Sequence, residues 1–292
     1  MQHRSTILLV TGASGFLGRA VMERFSAEHR VIGVGFRHAQ EGVRSVDIRD
    51  GRAFRNVLEE VRPDTVIHCA AYRDPDFCER EQEEARRLNV APVRTLVDTL
   101  PAESRLVFIS TDYVFDGNQP PYREADERRP INVYGQSKVE AEDLARERAS
   151  SLIVRIPLLM GYGPSFEESG FIAKTAQVIA GREPAELDNR TMRFPTDIRD
   201  VAEVVYFLLH RNAAGVYHYA GPRGQTQYRW ALELADIMGV DASPLCPVTM
   251  PPARIAARPA DSQLAMEKIR ELGFDRSTDF KEVAGRVLAM QS

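Results

Sequence analysis

A tyrosine and a lysine four positions apart, Tyr134 and Lys138, are the side chains of this sequence best suited to acid–base chemistry. In a helix this spacing places both groups on one face. A phenol has a pKa of about 10, too high for facile proton exchange at neutral pH, and a neighbouring ammonium group lowers it. Such a phenol could protonate a carbonyl oxygen as hydride reaches the carbon. Alone, the pair is weak evidence, since exposed helices contain it by chance.

A second group of polar residues ends an apolar run upstream, where Ser110 is followed by Thr111 and Asp112. Open α/β sheets bind their ligands at the carboxyl edge of the strands. Thr111 is therefore a candidate to hydrogen-bond a substrate carbonyl. Residues of this type also cap turns, which is the alternative role.

A glycine-rich turn lies near the start of the chain, directly after the first apolar run. Gly12 permits a tight turn, Gly15 allows the backbone to approach a pyrophosphate, and Gly18 allows close packing of helix on sheet. The helix that follows would offer free N–H groups to the phosphates. The alternative is a strand–helix turn without a ligand. The cofactor contacts predicted here are Gly12, Ser14, Gly15, Phe16, Leu17 and Gly18.

Cofactor choice depends on the end of the second predicted strand, where Arg37 stands. An acidic residue there would hold the 2′-hydroxyl of NAD, whereas arginine suits the 2′-phosphate of NADP. Asp47 and Ile48 follow a third short run and are placed to flank the adenine, or to cap a strand end. The sequence therefore predicts NADP (NADPH) as the cofactor, with NAD left open and Arg37 also readable as a surface arginine.

The elements that must position these residues alternate along the first half. Short apolar runs predict strands over residues 7–10, 31–36, 65–69, 106–110 and 152–156. Amphipathic patterns predict helices over residues 16–27, 51–61, 79–100 and 133–150. Buried strands separated by helices indicate a parallel sheet with right-handed crossovers. The expected fold class is α/β, a doubly wound parallel sheet (Rossmann) with a smaller, mostly C-terminal α/β substrate lobe.

A chain of 292 residues is longer than a single hydrophobic core usually supports, so an enlarged domain or two domains are expected. Residues 1–157 are expected to form a dinucleotide-binding domain, which residues 194–220 rejoin. In the second half of the chain, proline and glycine residues separate short predicted helices. Residues 158–193 and 221–292 are expected to form the substrate-binding lobe.

Composition argues against several other classes of protein. The net charge is −4 and the pI about 5.9, which disfavours a nucleic-acid partner. Three cysteines and six scattered histidines show neither a disulfide framework nor metal-ligand spacing, so no metal site is predicted. The apolar stretch near the N-terminus is too short for a signal peptide or a membrane span. A reduced, cytoplasmic protein without a membrane partner is expected. His68 and Cys69 are expected to be core residues.

Taken together, these motifs resemble the extended short-chain dehydrogenase/reductase superfamily, over nearly the whole chain. Within it, the stretches STDYVFDG, PYRE and VYGQSK resemble the dTDP-4-dehydrorhamnose reductase family. The resemblance implies that Tyr134 is the proton donor, that Lys138 binds the nicotinamide ribose and tunes the phenol, and that Thr111 polarises the ketone. It also implies two further sets of contacts. Those to the cofactor are Cys69, Ala70, Ala71, Tyr72, Lys138, Arg155 and Pro157, and those to the substrate are Asp112, Tyr113 and Val114.

The resemblance also narrows the reaction. Sugar-nucleotide 4,6-dehydratases carry Asp-Glu after the active-site threonine, whereas this chain has Asp112 and Tyr113. The epimerase–reductases that form GDP-fucose carry a cysteine base where Asp112 stands. Plain ketone reduction therefore ranks above dehydration and epimerisation. Rhamnose-forming reductases, however, resemble one another in a tryptophan that packs on the sugar, and Leu158 stands in its place here.

The run around Leu158 resembles instead the regulatory beta subunit of methionine adenosyltransferase, a relative of reductase fold that binds NADP. Three hypotheses follow from the sequence. The first is an NADPH-dependent reductase of a nucleotide-linked 4-keto-6-deoxy sugar, with Arg193 and Arg258 as contacts to substrate phosphates or as surface residues. The second is an NADP-binding regulatory subunit with little or no turnover. The third is a redox sensor that regulates transcription. A homodimer is expected by analogy with such folds.

Overall fold

A computed structural model of the chain describes residues 6–36, 42–250 and 255–291. Its centre is a seven-stranded parallel sheet, formed by β1 Ile7–Thr11, β2 Arg30–Gly35, β3 Val43–Ser45, β4 Thr65–His68, β5 Arg105–Thr111, β6 Leu152–Ile156 and β11 Gly215–His218. The strands lie side by side in the order β11-β6-β5-β4-β1-β2-β3. The chain starts in the middle of the sheet, builds outward to β3, and then returns to build the other half. This doubly wound order confirms the predicted fold class.

Helices cover both faces of the sheet and also form the lobe beside it. The helices are α1 Phe16–Ser26, α2 Gly51–Val61, α3 Pro75–Arg80, α4 Gln82–Asn89, α5 Ala91–Thr99, α6 Val133–Arg146, α7 Gly170–Ala180, α8 Ile198–His210, α9 Gln227–Met238, α10 Glu267–Glu271 and α11 Phe280–Leu288. One apolar cluster joins the sheet to α1 and α8, and another joins it to α2, α5 and α6. Burial on both faces explains why the sheet strands read as continuous apolar runs.

The smaller lobe contains short strand pairs and three helices. Its short strands are β7 Leu159–Met160, β8 Ala185–Asp188, β9 Met192–Arg193, β10 Thr196–Asp197, β12 Gln225–Thr226 and β13 Leu245–Val248. They pair as β7 with β10, β8 with β13, and β9 with β12. Helices α7, α9 and α11 pack around Trp230, which is almost fully buried and donates to the Arg193 carbonyl over 3.1 Å.

One sequence-predicted helix differs markedly from the structure. The single helix expected over residues 79–100 is divided into α4 and α5, and its first residues belong to α3. Pro92 lies in the first turn of α5 and has no N–H to donate to the preceding turn. A helix can begin there, but it cannot continue through that position without losing a hydrogen bond.

The other predicted helices and strands of the first half are present. The helix over residues 51–61 and the strand over residues 152–156 have the predicted bounds, and the others have shifted ends. The helix expected to reach residue 150, for example, ends at Arg146. Among the residues that the structure describes, none of the helices is long and apolar enough to cross a lipid bilayer.

Candidate active site

A cleft of about 600 Å³ runs along the carboxyl edge of the central sheet and reaches the smaller lobe. This volume lies within the range for small-molecule and cofactor sites. It contains most of the site residues predicted from the sequence. Those that line it are Gly12, Ser14, Gly15, Phe16, Leu17, Gly18, Asp47, Ile48, Cys69, Ala70, Ala71, Tyr72, Thr111, Asp112, Tyr113, Tyr134, Lys138, Pro157, Arg193 and Arg258.

The glycine turn between β1 and α1 is packed too closely for side chains. Gly12 has a φ of +67°, and a Cβ there would lie 2.8 Å from the Ala70 nitrogen. A Cβ on Gly18 would lie 2.0 Å from the Gly12 carbonyl oxygen. No side chain caps the N-terminus of α1 at Gly15. A backbone cradle with an uncapped helix N-terminus fits the pyrophosphate of a dinucleotide.

The close packing at Gly18 gives a testable prediction. Gly18→Ala should force the turn apart and weaken NADP binding by about tenfold or more, because the cradle can no longer hold its shape. Binding is measured by calorimetric titration of the purified variant with NADP. Gly285→Ala in α11 is the matched control, since a Cβ there meets nothing within 4 Å. Equal NADP affinity in the two variants would contradict the prediction.

The three predicted catalytic residues come from two adjoining elements. Thr111 is the last residue of β5, while Tyr134 and Lys138 lie in α6. Helix α6 begins where it does because the Asn132 side chain accepts a hydrogen bond from the Gly135 N–H over 2.8 Å. Asn132 also donates to the Ala257 carbonyl over 2.8 Å, which connects the start of α6 to the C-terminal part of the chain.

Lys138 is buried and held in place by the main chain. Its Nζ donates to the Ile109 carbonyl over 2.6 Å and lies 4.1 Å from the centre of the Phe108 ring. Burial lowers the pKa of Lys138 to about 8, while Glu142 favours its charged form. The ammonium is thus a fixed positive charge inside the cleft rather than a mobile surface group.

Tyr134 is half-buried beside Thr111, and its ring makes an edge-to-face contact with the ring of Tyr113. Burial raises the pKa of the Tyr134 phenol well above its usual value, and a hydrogen bond with Thr111 acts in the opposite direction. The sequence predicted a lowered pKa, and the structure has the opposite direction because loss of solvent dominates. The phenol is therefore protonated at neutral pH, as a proton donor must be at the start of a reduction.

Thr111 has both of the roles that its sequence context allowed. Its hydroxyl accepts a hydrogen bond from the Tyr113 N–H over 3.2 Å and so caps a short 3-10 turn, Asp112–Val114. The same hydroxyl lines the cleft and donates to the Asp112 carboxylate over 3.0 Å. Capping fixes the hydroxyl position, which is what a substrate contact requires.

Asp112 is an acidic residue with only 6% of its surface exposed. Burial raises its pKa to about 6, against hydrogen bonds from Ser262 and Thr111 and the charge of Arg193. Ser262 lies far along the chain, in the C-terminal part. A carboxylate that bridges the end of β5 and this distant serine connects the two parts of the cleft.

The raised pKa of Asp112 predicts how the folding stability changes with pH. A carboxyl group whose folded pKa is about 6 contributes stability that is fully present below pH of about 4 and is lost as the pH rises through 6. Asp112→Asn removes this titration, so the stability of the variant relative to wild type should rise by about 2 kcal/mol between pH 4.5 and 7.5. Urea unfolding at both pH values measures it, and a constant difference would contradict it.

The two arginines expected to contact substrate phosphates both line the cleft. Arg258 already has a bidentate partner, since its two terminal nitrogens lie 2.8 and 2.9 Å from the Asp76 carboxylate oxygens. Arg193 donates to the Met192 carbonyl over 3.3 Å and contributes positive charge near Asp112. Of the two, Arg193 has more of its charge available to an anion.

Two predicted contacts are not brought to the cleft, and a third cannot be placed. Arg155 is fully buried elsewhere, with its Nε and Nη2 each 2.8 Å from a carboxylate oxygen of Glu142. Its charge in a buried strand requires a partner, and α6 supplies one. Val114 is buried in a cluster with Phe115 and does not line the cleft. Arg37 lies outside the described residues.

A family model described as the RmlD substrate binding domain matches residues 6–292. The chain belongs to this family. The RmlD-family chain is 36% identical to methionine adenosyltransferase 2 subunit beta of Pongo abelii over 282 residues, with 94% of this chain and 84% of that protein covered. It is 32% identical to a probable low-salt glycan biosynthesis reductase, Agl14, of Haloferax volcanii, over 92% of this chain and 93% of that protein.

Solved structures of dTDP-4-dehydrorhamnose reductases are similar to this chain. A dTDP-4-dehydrorhamnose reductase from Bacillus anthracis, in complex with NADP, superimposes with a TM-score of 0.85 at 27% identity, covering 98% of this chain and 99% of that one. Both resemblances drawn from the sequence motifs, to the reductases and to the beta subunit, are thereby confirmed.

The sequence reasoning missed one residue that lines the cleft of this RmlD-family chain, Arg49, and one that supports the cleft residue Tyr72, Asn89. Arg49 lines the cleft 5.5 Å from the Phe36 ring and is held by Asp47, 2.7 Å away. Asn89 is buried at the end of α4, where it bonds the Tyr72 N–H over 2.8 Å and Ser137 over 3.0 Å. It thus connects the loop after β4 to α6. A lone asparagine at a helix end gives only a weak sequence signal.

Proposed function

We propose that the chain is an NADPH-dependent reductase of a nucleotide-linked 4-keto-6-deoxy sugar, with Tyr134 as the proton donor. The observation that carries the proposal is the convergence of Thr111, Tyr134 and Lys138 in one cleft with the glycine turn. The named function of the Bacillus anthracis structure and of the Haloferax volcanii relative supports it.

NADPH, when bound, would supply the hydride. The chain's own residues account for the other half of the reaction. Thr111 would hydrogen-bond the ketone oxygen, and the protonated Tyr134 would donate its hydrogen to that oxygen as it becomes a hydroxyl. Lys138, fixed to the Ile109 carbonyl, would stabilise the phenolate that remains.

Cofactor binding is assigned to the part of the cleft built on β1, β2 and β4. The glycine turn would hold the pyrophosphate at the N-terminus of α1. Asp47 and Ile48 would flank the adenine, with Phe36 and Arg49 beside them. The contacts proposed along the rest of the cofactor are Cys69, Ala70, Ala71, Tyr72, Lys138 and Pro157.

Substrate binding is assigned to the opposite end, where Asp112, Tyr113, Arg193 and Arg258 line the cleft. Reduction is favoured over dehydration because the residues after Thr111 are Asp112 and Tyr113 rather than Asp and Glu. We expect the protein to act in the cytoplasm, and a homodimer is the expected oligomer.

The reductase proposal is tested with the whole chain, NADPH and dTDP-4-keto-6-deoxyglucose. Absorbance of the reduced nicotinamide is followed over time. A fall in absorbance that depends on the sugar supports the proposal. No oxidation above a protein-free control would contradict it for this sugar, and UDP- and GDP-linked 4-keto sugars then extend the test.

A second function, an NADP-binding regulatory subunit with little turnover, is favoured by a separate observation. The match to the Pongo abelii beta subunit is closer in identity than the match to the Haloferax volcanii reductase, 36% against 32%. Leu158 in the cleft also fits this function, since it offers no aromatic surface to a sugar. Co-purification with a methionine adenosyltransferase catalytic subunit tests this second function. Failure to bind that subunit, together with sugar-dependent NADPH oxidation, would contradict it.

Arg37 carries the proposed preference for NADP. Arg37→Asp should shift the ratio of NADPH to NADH affinity toward NADH by about tenfold or more, because a carboxylate pairs with the ribose 2′-hydroxyl and repels a 2′-phosphate. Fluorescence titration with each cofactor measures the ratio. Arg30→Asp at the exposed start of β2 is the control. An unchanged ratio of NADPH to NADH affinity would contradict the assignment of the NADP preference to Arg37.

A further inference from the structure

A group of metal-ligating side chains lies outside the cleft, where the C-terminal ends of α1 and α8 meet. Glu28 and His29 follow the end of α1, and His210 is the last residue of α8. The two helices pack against each other along their length. One carboxylate oxygen and one nitrogen of each imidazole lie within 4.8 Å of one another. These three residues, the α1–α8 cluster, have no part in the proposed reaction.

The ligand atoms of the cluster are already oriented. His210 Nδ1 lies 2.9 Å from the Tyr206 carbonyl oxygen. A carbonyl only accepts, so Nδ1 carries the hydrogen and Nε2 is left with its lone pair. The Tyr206 hydroxyl donates to Glu28 Oε2 over 2.6 Å. One tyrosine thus fixes both the tautomer of a histidine and the position of a carboxylate, as outer residues do in metal sites.

The charged side chains around the cluster have an excess of negative charge that a cation could balance. Arg24 lies 3.2 Å from Glu28, but it also pairs with Glu203 over 2.8 Å. Arg276 in turn is shared between Glu203 and Asp200. Two arginines therefore face three carboxylates, and the connected group carries one negative charge in excess. A divalent ion at Glu28 would have that excess to balance.

We propose that Glu28, His29 and His210 bind one divalent transition-metal ion of the zinc class. Two imidazole nitrogens and one carboxylate oxygen form a donor set that zinc accepts in tetrahedral geometry, with a fourth position left for water. Magnesium and calcium prefer oxygen donors and would not select this site. In a tetrahedral site with metal–ligand bonds of about 2.0–2.2 Å the ligand atoms lie about 3.3–3.6 Å apart, so side-chain rotations that move these atoms by roughly an ångström would close the set.

The site differs from the cleft in position and in effect. Helix α1 has 11 residues, which at about 1.5 Å per residue separates its two ends by about 16 Å. The glycine turn is at one end and the cluster at the other. The ion would connect α1 to α8 and stabilise the folded chain without taking part in hydride transfer. Metal binding at the cluster therefore does not depend on the proposed function, and failure of one would not contradict the other.

Titration calorimetry of tag-free, chelator-treated protein with zinc chloride tests the site. The exposed Cys246 is replaced by serine in all samples, because a thiol also binds zinc. We expect one ion per chain and a rise in thermal midpoint on adding zinc. His29→Gln and His210→Gln should each weaken binding by about tenfold or more and remove the rise. Cobalt absorption of the protein with intact histidines gives a readout that does not depend on any His variant folding.

The controls are His3→Gln and His38→Gln, which remove histidines elsewhere in the sequence. Binding that follows these two, or that is unchanged by His29→Gln and His210→Gln, would overturn the proposal. So would the absence of binding up to about 1 mM zinc, or a cobalt spectrum without the intense bands of a tetrahedral site.

Discussion

Tyr134→Phe is expected to lower the rate of sugar-dependent NADPH oxidation by about 10²–10⁴-fold while leaving NADP binding nearly unchanged. The substitution removes one oxygen, and with it the only hydrogen that the phenol can donate to the ketone. The ring and its edge contact with Tyr113 are kept, so the cleft should hold its shape. Steady-state kinetics and a cofactor titration of the same sample measure the two effects separately.

The matched control for this prediction is Tyr217→Phe. Tyr217 is buried in β11 of the same sheet, but it does not line the cleft. Its variant should retain the wild-type rate. Equal losses in the two variants would mean that the hydroxyl matters for stability rather than for proton donation, and the assignment of Tyr134 would fail.

Arg155→Ala is expected to cost about 3–5 kcal/mol of folding stability, the largest effect that we predict for a single residue away from the cleft. The side chain is 1% exposed and forms two 2.8 Å bonds with the fully buried Glu142. Although burial raises the pKa of Glu142, the hydrogen bonds and charge of Arg155 hold it below its usual value. Without Arg155 the carboxylate stays buried and loses most of its compensation. Urea unfolding measures the cost.

Arg146→Ala is the control, because Arg146 lies 3.4 Å from the same carboxylate but is 38% exposed. A partly exposed pair of this kind contributes about 1 kcal/mol or less. A cost for Arg155→Ala as small as that of the control would contradict the buried-pair interpretation. The variant Arg155→Lys keeps the positive charge and should bind NADP as wild type does, whereas the sequence expectation of a cofactor contact requires a loss.

The sheet could be predicted from the sequence because its signals are local. Each strand is a short apolar run and each helix an amphipathic stretch, so β1 to α1 is readable from neighbouring residues. The split between α4 and α5 depends on Pro92, which is also local, and the pattern of apolar residues alone conceals it. The joining of β11 to β6 was expected only because its run resembled the other strands.

In the candidate site, too, local motifs could be predicted from the sequence and contacts between distant residues could not. The glycine turn and the pair Tyr134 and Lys138 are motifs of adjacent residues, and the structure places them in the cleft. The role of Ser262 beside Asp112 depends on a contact across 150 positions, which no local pattern contains. Arg155 was misplaced for a related reason. A charged residue in a strand motif suggests a ligand, but here the partner is a glutamate from another helix.

The hydrogen bonds that join distant segments also set an order of events during synthesis. Asp112, Asp76 and Asn132 meet their partners 150, 182 and 125 positions later in the chain. At translation rates of about 5–20 residues per second, those partners leave the ribosome roughly 6–36 s afterwards. Until then the nascent sheet lacks these three contacts, and its cleft is incomplete. The end of the cleft proposed to bind the substrate is completed only when the final tenth or so of the polypeptide docks.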